Sequence, residues 1–392
     1  MNLVRSAFAR LRDLQLGIPT PPGLDPIQLH LGESRLEAMA VDVAPLAAAE
    51  GWTRYPQLGG TAELRTAYAG WLERRFGVRE ILSGGDLVVE PTPGTKQAVT
   101  VAVDRAVRQV RGGGEAAVVM PNPFYPTYHA AAVAAGARPV YYGLDGKDPG
   151  HVRDAVAAAG APVAAILVCN PGNPGGEILP ESFLQDVAKT AAASGALLIV
   201  DECYTDLFLG AAPPGYLSLV ERRAVEPGRF LVLHSLSKRS GAPGLRSGFA
   251  AGDPQTVSDY AYYNRVCGVS TPLPVCAVAA QLWRDEAHVL RTRRALAGNW
   301  DLADAQLAEV PGYHRAEAGF FLWLPVEDDE ATARHLWRES ALSVMPGRYL
   351  GVAGSDGVHP GTGRLRIALV HEQPLMREAL ERLRRVMAAG AP

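Results

Sequence analysis

The feature that most restricts the fold is an alternation running from about Asp86 to Asp253, in which short β-rich apolar runs take turns with helix-like segments. DLVVEP leads into GTKQAVTVAVDRAV and AAVVMP into YHAAAVAAG; RPVYYGL, VAAILVCNP, ALLIVDECY, FLVLHSLSK and SGFAAGD follow. Several runs are apolar throughout, as strands covered on both faces are. The expected fold class is therefore α/β, with a mainly parallel central sheet flanked by helices. Beyond it, roughly 272–310 reads as one long helix, started at TPLP and closed at VPGY. FFLWLP, LSVMPG and GRLRIALV then mix with helical stretches, which predicts a smaller α+β domain. The expected division is an N-terminal segment, 1–40, joining the small domain; a large domain, 41–285; and a small C-terminal domain, 286–392. The Gly/Pro-rich patches at 17–26 and 351–363 read as loops.

In open α/β sheets ligands bind beyond the carboxyl ends of the strands, so the residues after each run are the candidates. DLVVEP is followed by Pro93-Gly94-Thr95-Lys96, a turn whose free N–H groups suit a phosphate, although the same turn also starts ordinary helices. Phe124, Tyr125 and Tyr128 follow AAVVMP and either face a flat ring or pack the core. VAAILVC runs into Asn170-Pro171-Gly172-Asn173-Pro174-Gly175-Gly176, and ALLIV into Asp201, Glu202 and Tyr204. A carboxylate at a buried strand end costs several kcal/mol unless paired, about 2 or more, which calls for a cation. FLVLHS leads to Ser235, Ser237, Lys238, Arg239 and Arg246.

The chain has four lysines: Lys96, Lys147, Lys189 and Lys238. Lys147 lies in a polar loop, Lys189 in a helix and Lys96 on the glycine turn. Lys238 alone combines a strand end, hydroxyl neighbours and nearby arginines; its alternative is a surface lysine in a loop. A partly desolvated lysine there has a suppressed pKa and can form a Schiff base. Pyridoxal 5′-phosphate (PLP) needs such a lysine, an anion for its protonated ring nitrogen, a ring stack, donors to its 3-oxygen and a phosphate cup. Lys238, Asp201, Tyr125, Asn173 with Tyr204, and Gly94/Thr95 with Ser235 and Arg246 supply them in turn, with Lys96 on the phosphate turn. Asp201 would find its cation in the pyridinium, and Lys238 would act as the general base.

Composition excludes several other classes. The 392 residues suffice for two domains. A formal net charge of -3 argues against a general nucleic-acid affinity, and no apolar run approaches the roughly 20 residues of a membrane span. The N-terminus, MNLVRSAFARLRDLQLG, reads as a surface helix rather than a signal. The four cysteines, Cys169, Cys203, Cys267 and Cys276, form no Cys-x-x-Cys pair, as expected of reduced thiols in the cytoplasm. No metal is expected.

A likeness is carried by the motifs YPQLGGTAELR, PGTKQA, YPTY, NPGNPGG, DECY, SLSK with GLR behind it, and GRLRIAL. Over nearly its whole length the chain resembles the fold-type I PLP-dependent aminotransferases of class I/II, and among them the N-succinyldiaminopimelate aminotransferase group of lysine biosynthesis. The resemblance implies transfer of an amino group between an amino acid and a 2-oxo acid by a ping-pong mechanism, and a homodimer with shared sites. It implies that Tyr55 reaches across to the other subunit's phosphate and that Gly32 and Arg366 bind the substrate carboxylate, with Asn173 helping. Arg366 is preferred to Arg364 because Arg-apolar-small fits the family pattern. Two departures stand out: Gly32-Glu33-Ser34-Arg35-Leu36 where that group tends to have Gly-Glu-Pro-Lys-His, and Gly241 where it tends to have Asn. The first keeps open an alternative of the same fold: β/γ-elimination, replacement or C–C bond formation in a specialised pathway. A third alternative, a non-catalytic regulatory module, is disfavoured by the intact Lys238–Asp201 pair.

Overall fold

Period-two alternation within the apolar runs sorts their side chains to two faces. Ile166, Val168, Leu198, Val200 and Val232 join one core cluster with Trp71, Phe183 and Trp283. Ala165, Leu167, Ile199, Leu231 and Leu233 join another with Ala98, Ala102 and Val103. Runs such as VAAILVC and LLIV are apolar at every position because both faces are covered, each buried aliphatic side chain contributing about 1.5–3 kcal/mol.

The computed structural model describes residues 5–37, 41–42, 44–110, 115–226, 228–354 and 357–388. Its large sheet has seven strands: β1 (Val88–Thr92), β2 (Ala117–Pro121), β3 (Arg138–Tyr142), β4 (Val163–Cys169), β5 (Leu197–Asp201), β6 (Phe230–Ser235) and β7 (Gly248–Gly252). In space they run β1-β7-β6-β5-β4-β2-β3. The stretch from β6 to β3 is parallel, while β7 is antiparallel to both β6 and β1. The α/β class with a mainly parallel sheet is as the sequence predicts. Glycine at 248 and 252 allows β7 to lie close to β6, since a Cβ there would come 2.3 Å from the carbonyl oxygens of His234 and Phe230.

The second sheet is antiparallel, β8 (Phe321–Pro325) and β9 (Met345–Pro346) flanking β10 (Arg364–Ala368). Ile27–Gln28 pairs in parallel with Leu342–Ser343, which fastens the N-terminal segment beside it. Helix α1 (Ala7–Gln15) starts at Ser6, whose hydroxyl accepts from the Ala9 N–H. It is more than a surface helix: Ala7 and Leu11 are buried against Met345, Tyr349 and Leu350. Further helices that matter to the site are α2 (Ala62–Phe76), α3 (Thr95–Val110) and α4 (Pro126–Ala134).

The helix expected over 272–310 is two helices, α5 (Leu273–Arg284) and α6 (Ala287–Leu307). Asp285 breaks it. Its backbone leaves the helical region at ψ 111°, and its carboxylate accepts from the Ala287 N–H at 2.7 Å. An aspartate side chain competing for the backbone is a common helix start.

Candidate active site

Parallel pairing brings strand ends together: Cys169 lies opposite Asp201, and Asp201 opposite Leu233. Asp201 is 1% exposed. Its carboxylate accepts from the Tyr128 hydroxyl at 3.0 Å and from the Cys203 N–H at 3.2 Å. Burial raises its pKa above the ordinary aspartate range, and the two donors, with Lys238 nearby, pull the other way. Among the described residues no ion pair reaches it within 4.0 Å.

Lys238 stands three residues past β6, in the single turn Leu236–Arg239 that Ser235 caps by accepting from the Ser237 N–H. Its ammonium donates to the Gly32 carbonyl at 2.5 Å and lies 5.6 and 5.4 Å from the ring centres of Tyr204 and Phe320. Desolvation pulls its pKa below the ordinary lysine value. Gly32 has little room for a side chain: a Cβ would meet Phe321 at 2.7 Å and the Lys238 amine at 3.3 Å. Lys147 and Lys189 are surface ion-pair partners of Glu317 and Asp186. Lys96 is exposed at the second position of α3.

Arg366 comes from β10, opposite Trp323, and is 4% exposed. Its guanidinium donates to the Asn173 side-chain oxygen and to the His30 carbonyl, each at 3.2 Å. It lies 4.2 Å over the Phe321 ring. Its Nε has no hydrogen-bond partner, and among the described residues no carboxylate pairs with it. Burial lowers its pKa to about 10. Arg364, at the start of the strand, is half-buried.

The glycine turn has Gly94 at φ +95°, where a Cβ would lie 2.9 Å from an Arg246 nitrogen. Arg246 donates to the carbonyls of Pro93 and Pro243, the Gly94 N–H reaches the Thr92 hydroxyl at 3.3 Å, and Thr95 opens α3. The hydroxyls of Ser235 and Ser237 are 3.0 Å apart. A helix N-terminus with a fixed arginine beside it suits a phosphate. Tyr125 is half-buried, edge-on to Tyr128 at 5.6 Å. Phe124 instead stacks on His129 and Tyr141. Tyr128 is the residue that reading strand ends left without its role. It lies fully buried, with its hydroxyl turned to Asp201. Its spacing of three from Tyr125 at the start of α4 was the available signal.

Tyr55 is 97% exposed and makes no hydrogen bond within the chain among the described residues, so one subunit does not bring it into the site. Of the departures, Ser34 accepts from the Leu36 N–H, and Arg35 donates to Gln28 at 3.4 Å. Gly241 has φ +58°, the left-handed region that glycine and asparagine share most readily, so that exchange is conformationally mild. A desolvated amine, a buried carboxylate without a cation, an anion cup and a half-buried tyrosine ring together fit PLP.

The profile of the family described as aminotransferase class I and II matches residues 26–383. The chain is 31% identical over 347 residues to 4-dedimethylamino-4-oxo-anhydrotetracycline transaminase OxyQ of Streptomyces rimosus, covering 86% of this chain and 89% of that protein. It is 28% identical over 382 residues to LL-diaminopimelate aminotransferase of Syntrophobacter fumaroxidans, covering 94% and 92%. A crystal structure of an aminotransferase from Neisseria meningitidis superposes with a TM-score of 0.87 at 29% identity, over 100% of this chain and 98% of that one.

Proposed function

Because the chain belongs to the class I and II aminotransferases, a PLP-dependent family, we propose that Lys238 carries PLP here and that the amino group passes from an α-amino acid to a 2-oxo acid in two half-reactions. The observation that carries this reading is the desolvated Lys238 amine set near a buried carboxylate, Asp201, and a buried guanidinium without a carboxylate partner, Arg366. When bound, PLP supplies an electron sink that acidifies the donor's Cα–H. Arg366 and Asn173 bind the substrate carboxylate, and the Gly32 backbone borders it. Asp201 would hold a proton on the ring nitrogen; burial raises its pKa, and the bonds from Tyr128 and the Cys203 N–H oppose that by favouring the carboxylate. The Lys238 amine would take the Cα proton as general base and later return it; desolvation lowers its pKa, which favours the neutral form that this step needs. Tyr125 would support the ring, Tyr204 and Asn173 would donate to the 3-oxygen, and Gly94, Thr95, Lys96, Ser235 and Arg246 would hold the phosphate.

The working unit proposed is a homodimer, in which the exposed Tyr55 reaches the partner's phosphate cup. A donor of the N-succinyldiaminopimelate type is the finer proposal, supported by the motifs around NPGNPGG and SLSK. The address proposed is the cytoplasm, which keeps the free thiols of Cys169, Cys203 and Cys276 reduced. No helix among the described residues is long and apolar enough to cross a membrane.

The test is single turnover. Holoenzyme given an amino donor alone should release about one equivalent of 2-oxo acid per site and stop, resuming only when a second 2-oxo acid is added. Continuous release of ammonia without an acceptor would refute transamination in favour of elimination.

A further inference from the structure

Directly after Asp201 comes a second buried carboxyl group that the proposed chemistry does not use. Glu202 is 0% exposed and His234, on β6, is 1% exposed. One carboxyl oxygen of Glu202 accepts from the Tyr216 N–H at 2.7 Å. The other has no hydrogen-bond partner and faces the His234 Nε2 at 3.5 Å; neither ring nitrogen of His234 has a partner of its own. The imidazole lies within an aromatic shell, 4.8 Å from Trp71, 5.0 Å from Phe249 and 5.7 Å from Phe76, centre to centre.

We propose that Glu202 and His234 hold one proton between them and so act as a positioning pair for Asp201, leaving the negative charge at the end of β5 to that residue. The charged groups around the pair are already matched elsewhere. Arg75, from α2, and Arg239, after Lys238, both bind Asp206, at 3.1 and 3.0 Å. Arg239 also binds Glu286 at 2.7 Å. An ionised Glu202 with a charged imidazole would require desolvating two ions in an apolar shell, whereas a neutral pair avoids it. The physics places the proton on the carboxyl group: burial pushes Glu202 up to about 8, and burial, with Arg75, takes His234 down to about 3. Asp201 and Asp206 push Glu202 the same way, while Arg75 and the Tyr216 N–H oppose them.

The placement makes this more than a core curiosity. The Glu202 N–H donates to the Leu233 carbonyl at 3.0 Å, so the pair spans the ends of β5 and β6, the two strands that present Asp201 and Lys238. Above the Glu202 pKa a second carboxylate charge would appear beside Asp201, and Asp201 would take up a proton more readily. The consequence for the cofactor rests on the reading of Asp201 given under the proposed function; the state of the proton does not.

Infrared spectroscopy of the protein freed of cofactor tests the pair directly. The native protein should show a protonated-carboxyl band at neutral pH that disappears as the pH rises through about 8. The band should be lost in Glu202→Gln and kept in Asp201→Asn. Should Glu202→Gln fail to fold, the midpoint of the band should still move in His234→Gln, whereas a band from the buried Glu177 would not move. Absence of the titrating band from both native protein and Asp201→Asn at neutral pH overturns the proposal. In the holoenzyme, the visible band of the Lys238–PLP adduct should show an alkaline inflection that Glu202→Gln abolishes. An inflection unchanged in that variant overturns the link to Asp201. The infrared measurement needs no cofactor, so it stands or falls separately from the transamination assay.

Discussion

At the scale of single residues, the site depends on which charges are buried and what they touch. Arg366 is desolvated and free of carboxylates, whereas Arg364 is half-buried two positions earlier. A bidentate guanidinium–carboxylate pair is lost when lysine replaces arginine. Arg366→Lys should therefore raise KM for amino donors about ten-fold or more, since roughly 1.4 kcal/mol is a factor of ten. Arg364→Lys should do much less, and steady-state kinetics showing the reverse would reassign the carboxylate site. Tyr128→Phe removes a donor to a buried carboxylate, a loss of about 1.5–3 kcal/mol. The sign follows from the bond: the hydroxyl holds the Asp201 pKa down, so without it that pKa rises further. The acidic limb of the kcat/KM profile should move to higher pH, and an unmoved limb would separate Tyr128 from the chemistry. The sequence singles out Lys238 because it alone of the four lysines combines a strand end with hydroxyl neighbours and nearby arginines, and the structure adds that its amine is desolvated. Arg366 against Arg364 was not legible from alternation, since residues two apart on a strand share a face; burial separates them.

At the scale of elements, the phosphate cup is a turn feeding a helix. Gly94 at φ +95° is in the region closed to side chains, and a Cβ would also press on Arg246. Gly94→Ala should weaken PLP binding by about ten-fold or more, given a strain of roughly 1–2 kcal/mol and a displaced arginine. Titrating cofactor into cofactor-free protein measures it, and unchanged affinity would remove the turn from the cup. The strands were read correctly where both faces are covered, because burial on two sides leaves no polar position. The break between α5 and α6 was missed because Asp285 and Glu286 are unremarkable inside a helix. The restart is marked by the Asp285 carboxylate, which accepts from the N–H groups of Ala287 and His288.

At the scale of the whole molecule, Tyr55 poses the test of shared sites. Lys238→Ala and Tyr55→Ala should each be impaired alone. Mixed dimers of the two should recover activity, because one of their two sites then has both residues intact. Activity no higher than the sum of the separate variants would place Tyr55 outside the catalytic unit. What the sequence determined by itself is what neighbours along a chain decide: apolar runs that must be covered, turns that need glycine, a lysine and a carboxylate at strand ends. Those follow from local sterics and the cost of burying charge. The tertiary structure alone decided the contacts that join distant segments: Tyr128 with Asp201 across 73 residues, Asn173 with Arg366 across 193, Gly32 with Lys238 across 206. The reason is physical. A hydrogen bond depends on two groups meeting within about 3 Å, and spacing along the chain says nothing of which pairs the packing of two sheets and an N-terminal segment will bring that close.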